Sequence, residues 1–361
     1  MGQRKRIGIL TSGGDCPGLN CVIRAVISHA TLTYNWEIVG IPNATQGLLE
    51  RKAIALNLHG LDVHGIDPLL SMGGTYLGST SKGNTSDHTS ELLASYQALA
   101  IDALIAIGGD GSLAILRDLA CQGKWNLVAI PKTIDNDVAI TERAVGFDTA
   151  VNTITESLNR LTYTAASHDR VMIVEVMGRQ SGHLALHAGI AGGADIILIP
   201  EIPYSIADIC QKINALRDHW GRKFAIIVVA EGVKTEEGSS SIYTDSLGQV
   251  RLRGISQYIS EQVAHTLTQE VETRVTVLGH VQRGGMPSAL DRIVAAAFGK
   301  AAVDLIAQQQ YDCMVAWQNF QVKSIPLEEV LLSSPLSVEP DSYLVQTARA
   351  LGIYIGEGKN N

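Results

Sequence analysis

The sequence predicts an α/β protein of two doubly wound, three-layer domains with largely parallel sheets, on three observations. Short apolar runs alternate along the chain with stretches whose apolar residues recur at helical spacing. The runs are apolar throughout rather than at every second residue, as in parallel strands covered on both faces. Most of them end in glycines and polar side chains, the position at which open α/β sheets bind ligands. With 361 residues the chain exceeds one small domain, and two is the natural division.

Arg6–Leu10 reads as the first strand and Thr11-Ser-Gly-Gly-Asp-Cys-Pro-Gly18 as a glycine-rich turn. Val22, Ile23, Val26, Ile27 and Ala30 mark the helix that follows. A strand, glycines and a helix start bring backbone N–H groups around a phosphate. The turn matches neither G-x-G-x-x-G nor G-x-x-x-x-G-K-[ST], so a bare tight turn is equally open at this point. Glu37–Ile41 is a short strand, and residues 72–84 form a second loop rich in glycine and hydroxyls, with Lys82 near its end. Asp102–Ile107 is a strand running directly into Gly108-Gly-Asp-Gly-Ser112 and a helix carrying Leu113, Leu116 and Leu119. An acidic residue among glycines at a helix start suits Mg²⁺ held against phosphate oxygens. Asn126–Ile130 leads into Pro131-Lys-Thr-Ile-Asp-Asn-Asp137, where Asp135 and Asp137, two apart in an extended loop, could flank one reacting centre.

Further on, Val151, Ile154, Leu158 and Leu161 define a helix, and Val171–Val176, Ile196–Ile199 and Phe224–Ala230 are strands. Ser205 with Asp208 three residues later caps a helix striped by Ile206, Ile209, Ile213 and Leu216. Residues 233–254 turn polar and Ser/Gly-rich and read as a mobile excursion. A helix from Ile255 to about residue 269, the strand Arg274–Leu278 and a long helix over 288–308 follow, and beyond Tyr311 regularity fades until a last helix near 343–351.

A net charge of −8 argues against general nucleic-acid or anionic-membrane binding, so any site for an anion must be local. Cysteines 16, 21, 121, 210 and 313 are odd in number and lack a C-x-x-C pair, which fits a reducing cytoplasm. No apolar run approaches the ~20 residues that span a bilayer.

Strand ends supply Asp110, Thr133, Asp135, Asp137, Arg170, Arg179, Glu231, Arg274, His280 and Arg283. Four arginines there, in an acidic protein, suit a dianionic phosphate. Together with Gly-Gly-Asp-Cys-Pro-Gly-Leu-Asn (13–20), Ile-Gly-Gly-Asp-Gly-Ser (107–112), Pro-Lys-Thr-Ile-Asp-Asn-Asp (131–137), Val-Glu-Val-Met-Gly-Arg (174–179) and Leu-Gly-His-Val-Gln-Arg-Gly-Gly (278–285), the chain closely resembles the 6-phosphofructokinase family. The resemblance spans residues 7 to about 310.

That resemblance implies phosphoryl transfer from MgATP to the 1-hydroxyl of fructose 6-phosphate. It makes Asp135 the general base and sets Thr133, Asp137 and Arg179 around the transferred group. It assigns Mg²⁺ to Asp110, and the nucleotide to Gly13, Gly109, Asp110, Gly111, Ser112, Lys82 and Lys132. Met177, Gly178 and Glu231 hold the sugar, with Thr133, Asp135 and Arg179 also against it, and Arg170, Arg274, His280 and Arg283 bind its 6-phosphate. The equivalents of Arg170 and Arg274 reach in from a neighbouring subunit, so a homotetramer is expected. The implied division is a nucleotide domain of residues 1–146 plus 282–332 and a sugar-phosphate and effector domain of 147–281 plus 333–361.

The family uses ATP or pyrophosphate. Gly111 leaves the space of the α-phosphate open, which favours ATP, whereas Lys132 is usual in pyrophosphate enzymes; ATP is the reading taken. At the family's effector site Arg24 is kept, while Ser28, Thr162 and Asp195 depart from the usual pattern, near Arg222 and Lys223, so altered allosteric control is expected. A dinucleotide dehydrogenase lacks its fingerprint here. A non-catalytic sugar-phosphate sensor would keep the arginines but have no use for Asp135 or Asp110.

Overall fold

The computed structural model describes residues 4–80, 86–239, 242–244, 250–252, 254–267 and 271–356. They form two compact units, Met1–Thr149 with Arg283–Leu336, and Ala150–Gln282 with Ser337–Asn361.

The first unit opens with β1 (Arg6–Thr11), whose last five residues are buried, and α1 (Leu19–Tyr34), whose buried stripe includes Val22, Ile23, Val26 and Ile27. Asn35, in the left-handed region at φ 53, ends that helix. Then come β2 (Glu37–Gly40), α2 (Thr45–Leu49), β3 (Ile54–Ala55), α3 (Thr89–Ala98), β4 (Ala103–Gly108), α4 (Asp110–Gly123) and β5 (Leu127–Pro131). In the second unit lie most of α5 (Phe147–His168), then β6 (Val171–Val176), α6 (His183–Ala191), β7 (Ile196–Leu198), α7 (Ile206–Trp220) and β8 (Ala225–Ala230). The unit continues through β9 (Ile242–Thr244), β10 (Val250–Leu252), α8 (Ile255–Thr266) and β11 (Thr273–Val277). The chain returns to the first unit for α9 (Ala289–Ala307), β12 (Cys313–Gln318), β13 (Gln321–Pro326) and α10 (Leu327–Ser333), and closes with α11 (Tyr343–Ala350) in the second.

The first unit's sheet has the order β13-β12-β5-β4-β1-β2-β3. All of its pairings are parallel except β12 with β13 and β2 with β3. From β1 the chain first builds outward through β2 and then crosses to β4 on the other side, so a topological switch point lies between β1 and β4. The second unit's sheet, β11-β6-β8-β7, is parallel and switches between β6 and β11. β4, β5, β6 and β8 are buried at every residue, as their apolar runs predict, with Glu175 of β6 the one charged residue among them. Burying large side chains such as Phe147 and Phe298 contributes about 1.5–3 kcal/mol each.

One expectation about regularity is corrected. Beyond Tyr311 the chain is not irregular: β12 and β13 form an antiparallel hairpin that extends the first sheet. Its outer strand carries only Val322 and Ile325 as half-buried apolar residues among exposed ones, a weaker signal than the buried runs. Within the excursion at 233–254, β9 and β10 pair antiparallel. No described helix is long and apolar enough to cross a membrane.

Candidate active site

The C-terminal ends of β1, β4 and β5 lie side by side, with Thr11 opposite Ile107 and Gly108 opposite Pro131. Three loops leave from there, and backbone hydrogen bonds fix two of them at once. Ser12 N–H donates to Ile107 O at 2.9 Å and Lys132 N–H to Gly108 O at 3.0 Å. Between the loops is a cavity of about 250 Å³ lined by Gly13, Gly14, Gly109–Ser112, Lys132, Thr133, Asp135, Asp137 and Arg283. All of these residues belong to the first unit.

Gly13 sits at φ 83, and a Cβ there would meet Ser112 Oγ at 2.8 Å, so both conformation and space require glycine. A Cβ at Gly111 would meet nothing within 4 Å, so the helix start of α4 faces open space. Residues 72–80 pack on the first turn. Thr11 Oγ1 donates to Gly78 O at 2.7 Å, and Ser79 Oγ donates to Gly13 O. The buried amide of Asn20 organises that loop, donating toward the carbonyls of Met72, Gly73 and Gly74 and accepting from Tyr76 N–H at 2.6 Å. Lys82 lies outside the described residues.

Pro131–Asp137 is not the extended loop its residue spacing suggested. Asn136 adopts φ 52, in the left-handed region, and its side chain accepts from Ala144 N–H at 2.8 Å and donates to Glu142 O at 3.2 Å. This inward pin turns the chain so that Asp135 and Asp137 line the same cavity. Asp135 N–H donates to Thr133 Oγ1 at 3.1 Å, and that hydroxyl donates to Asp137 Oδ1 at 3.0 Å. Burial pushes the Asp137 carboxyl up from its ordinary value, against the opposing effect of the Thr133 hydroxyl and with a smaller upward contribution from Asp110.

Lys132 is 3% exposed, and its ammonium donates to Gly14 O. Desolvation lowers its pKa. The lysine therefore ties the first glycine turn to the Asp135 loop, a role its sequence position did not disclose. Arg283 lies on the other side of that turn, donating to Asp15 O at 3.2 Å. Cys16 is fully buried, and burial pushes its thiol up to about 12; Cys21 is pushed up to about 11 for the same reason. Neither is a ready redox centre.

In the second unit Met177, Gly178 and Arg179 follow β6, Glu231 follows β8 and His280 follows β11, all at C-terminal strand ends. Glu231 N–H donates to Val176 O at 2.8 Å and Gly232 N–H to Gly178 O at 3.0 Å, which joins two of these loops. Gln282, fully buried, joins the third by accepting from Met177 N–H at 3.1 Å and donating to Gly279 O at 2.9 Å. It was missed because a glutamine in a glycine-rich turn carries no chemistry by type. Arg179 and His280 are exposed.

Arg170 and Arg274 are not at those strand ends, contrary to expectation. Arg170 precedes β6 and Arg274 is the second residue of β11, so both stand at the opposite edge of the sheet. The expected effector residues are engaged locally: Arg24 Nε bonds Asp67 at 2.6 Å, and Arg222 pairs bidentately with buried Asp195 at 2.7 and 2.8 Å.

A family model described as Phosphofructokinase matches residues 6–306. ATP-dependent 6-phosphofructokinase 2 of Nostoc sp. is 68% identical over 357 residues, covering 98% of this chain and 99% of its own length. ATP-dependent 6-phosphofructokinase of Thermosynechococcus vestitus is 59% identical, with 98% and 94% covered. Among solved structures, the T-state phosphofructokinase of Pichia pastoris aligns at a TM-score of 0.78 and 29% identity over 97% of this chain, which spans 39% of that longer chain. A pyrophosphate-dependent phosphofructokinase of Nitrosospira multiformis aligns at 0.82 over 98% of this chain and 93% of its own; at 22% identity that likeness concerns the fold alone.

Proposed function

The chain belongs to the phosphofructokinase family, and we propose that it transfers the terminal phosphoryl group of ATP to the 1-hydroxyl of fructose 6-phosphate, giving fructose 1,6-bisphosphate and ADP. One observation carries the assignment of the chemistry: three carboxylates, two hydroxyls and a glycine cradle share one cavity at a switch point. Asp135 orients the sugar hydroxyl and takes its proton as the oxygen attacks. Thr133 hydrogen-bonds the transferring group, and Arg179 offsets charge that develops on it.

The nucleotide approaches Gly13, Gly109 and Gly111, where missing side chains let its phosphates reach backbone N–H groups, and Ser112 beside them. Gly111 favours ATP because an acidic side chain there would repel the α-phosphate. Lys132 is no obstacle, since its ammonium is turned to Gly14 O. Asp110 and Asp137 are the candidates to hold Mg²⁺. Among the described residues no group of three or more His, Cys, Asp or Glu forms a cage, which suits an ion that keeps water and phosphate oxygens in its shell. When bound, that ion screens the charge of the phosphates.

Met177, Gly178 and Glu231 hold the sugar, with His280 and Arg283 on its 6-phosphate. Arg170 and Arg274 serve a neighbouring subunit's sugar phosphate in a homotetramer. A strand of five or six residues spans about 17–20 Å, too far for one sugar phosphate to touch both edges of the sheet in one chain. Five free cysteines agree with a cytoplasmic setting.

Asp135→Ser tests the reading. Fructose 6-phosphate binding is retained while turnover falls by about 10²–10⁴. Retained turnover would remove Asp135 as base, and loss of binding alone would favour a positioning role. Wild-type rates with ATP and pyrophosphate side by side test the donor, and activity only with pyrophosphate overturns it.

A further inference from the structure

Glu272 stands one residue ahead of β11 and bonds two arginines at once. Its carboxylate accepts from Arg170 Nε at 2.5 Å and from Arg170 Nη2 at 3.2 Å, and it accepts from Arg274 Nη2 as well. The parallel pairing of β6 and β11, with Val171 opposite Thr273, brings the three side chains together. Hydrogen bonding from Arg170, with the charges of Arg170 and Arg274, holds the Glu272 carboxyl below its ordinary range, so it is ionised at neutral pH. All three side chains reach solvent, at 26%, 51% and 41% exposure for Arg170, Arg274 and Glu272. An incoming anion can therefore reach the same guanidinium groups.

A carboxylate bridging two guanidinium groups uses the same planar forks that bind phosphate, but it carries one negative charge. A phosphate monoester at neutral pH carries about 1.5 to 2 and adds an acceptor oxygen. We propose that Glu272 is a placeholder for the sugar 6-phosphate. It keeps Arg170 and Arg274 converged before substrate arrives, and it yields to a dianion but not to a monoanion or an uncharged sugar. Glu272 is thus a positioning residue that sets a charge threshold. The inference rests on the reading that these arginines serve the 6-phosphate. It follows that Glu272 lowers affinity while raising discrimination: with Glu272 the pair presents a net charge of +1, and without it +2.

The test uses the full-length protein and the exposed, isosteric substitution Glu272→Gln. Fructose 6-phosphate and inorganic phosphate are titrated directly by calorimetry, and KM is compared with kcat. Fructose 6-phosphate binds about threefold to tenfold more tightly to E272Q, inorganic phosphate gains in the same direction, and the kinetic change falls in KM. Glu272→Asp keeps the charge and shows less than half of that gain. If Glu272 only braces the arginines, E272Q weakens both ligands; that result, or an unchanged affinity, overturns the proposal. Equal tightening in E272D and E272Q overturns it too. Arg274→Ala separates the two levels. If R274A loses affinity for fructose 6-phosphate and E272Q gains none, Glu272 alone is removed. If R274A binds it as the wild type does, the assignment of the arginines falls and the inference falls with it.

Discussion

Asp137 carries a stability cost at neutral pH that fits the role proposed for it beside the reacting groups. Its carboxyl binds a proton more tightly in the fold than in the unfolded chain, because burial penalises the charge. The stability contributed by that proton is fully present below the ordinary pKa of 3.8 and is lost as pH rises through the folded value. Neutral pH is therefore the costly side. Asp137→Asn keeps an acceptor for the Thr133 hydroxyl and removes the charge. It should raise the midpoint of thermal unfolding at pH 7 to 8, with the gain shrinking as the buffer is taken toward pH 4. Turnover in the same variant should drop by about tenfold or more, as is common when a charged group is removed from a reacting site. An unfolding midpoint that falls at neutral pH would refute the account. At this scale the sequence disclosed residue types well and side-chain partners poorly. Asp135 and Asp137 were recognised as carboxylates of a site, but the hydroxyl between them and the Asn136 pin depend on one backbone angle.

Elements were legible where a local rule decides them. Ser205 accepts a hydrogen bond from Asp208 N–H at 3.3 Å and opens α7, as the Ser-x-x-Asp pattern predicts. Ser205→Ala should cost about 1 kcal/mol, measured as a lower urea midpoint with the slope unchanged. A change of slope would mean that the cap shapes more than the helix end. The fully apolar strands were equally legible, since burial on both faces demands such a run. The hairpin of β12 and β13 was not. Phe320, at its turn, is 92% exposed, and the outer strand satisfies only one side of its backbone within the sheet. No long apolar run marks such an edge.

Over the whole molecule, four of the five cysteines are buried and only Cys121 is exposed. Alkylation of the native protein at pH 8 should modify Cys121 rapidly and the others only on unfolding, which mass spectrometry of labelled peptides can count. Rapid native labelling of Cys16 would contradict both its burial and its raised pKa. The division into two compact units, each gathering chain from both sides of the other's sequence, also belongs to this scale. No local pattern of the sequence signals that residues 283–336 return to the first unit; only the family resemblance implied such a division.

The sequence by itself determined the α/β class, the glycine turns and the residue types at the strand ends, because periodicity, burial and turn chemistry act over a few neighbours. Tertiary structure alone decided which side chains meet there. Arg170 and Arg274 stand at the N-terminal ends of two strands, and the parallel register of β6 against β11 brings them together with Glu272 across both. Strand direction and register come from pairing between residues about a hundred positions apart, and no local pattern carries that information.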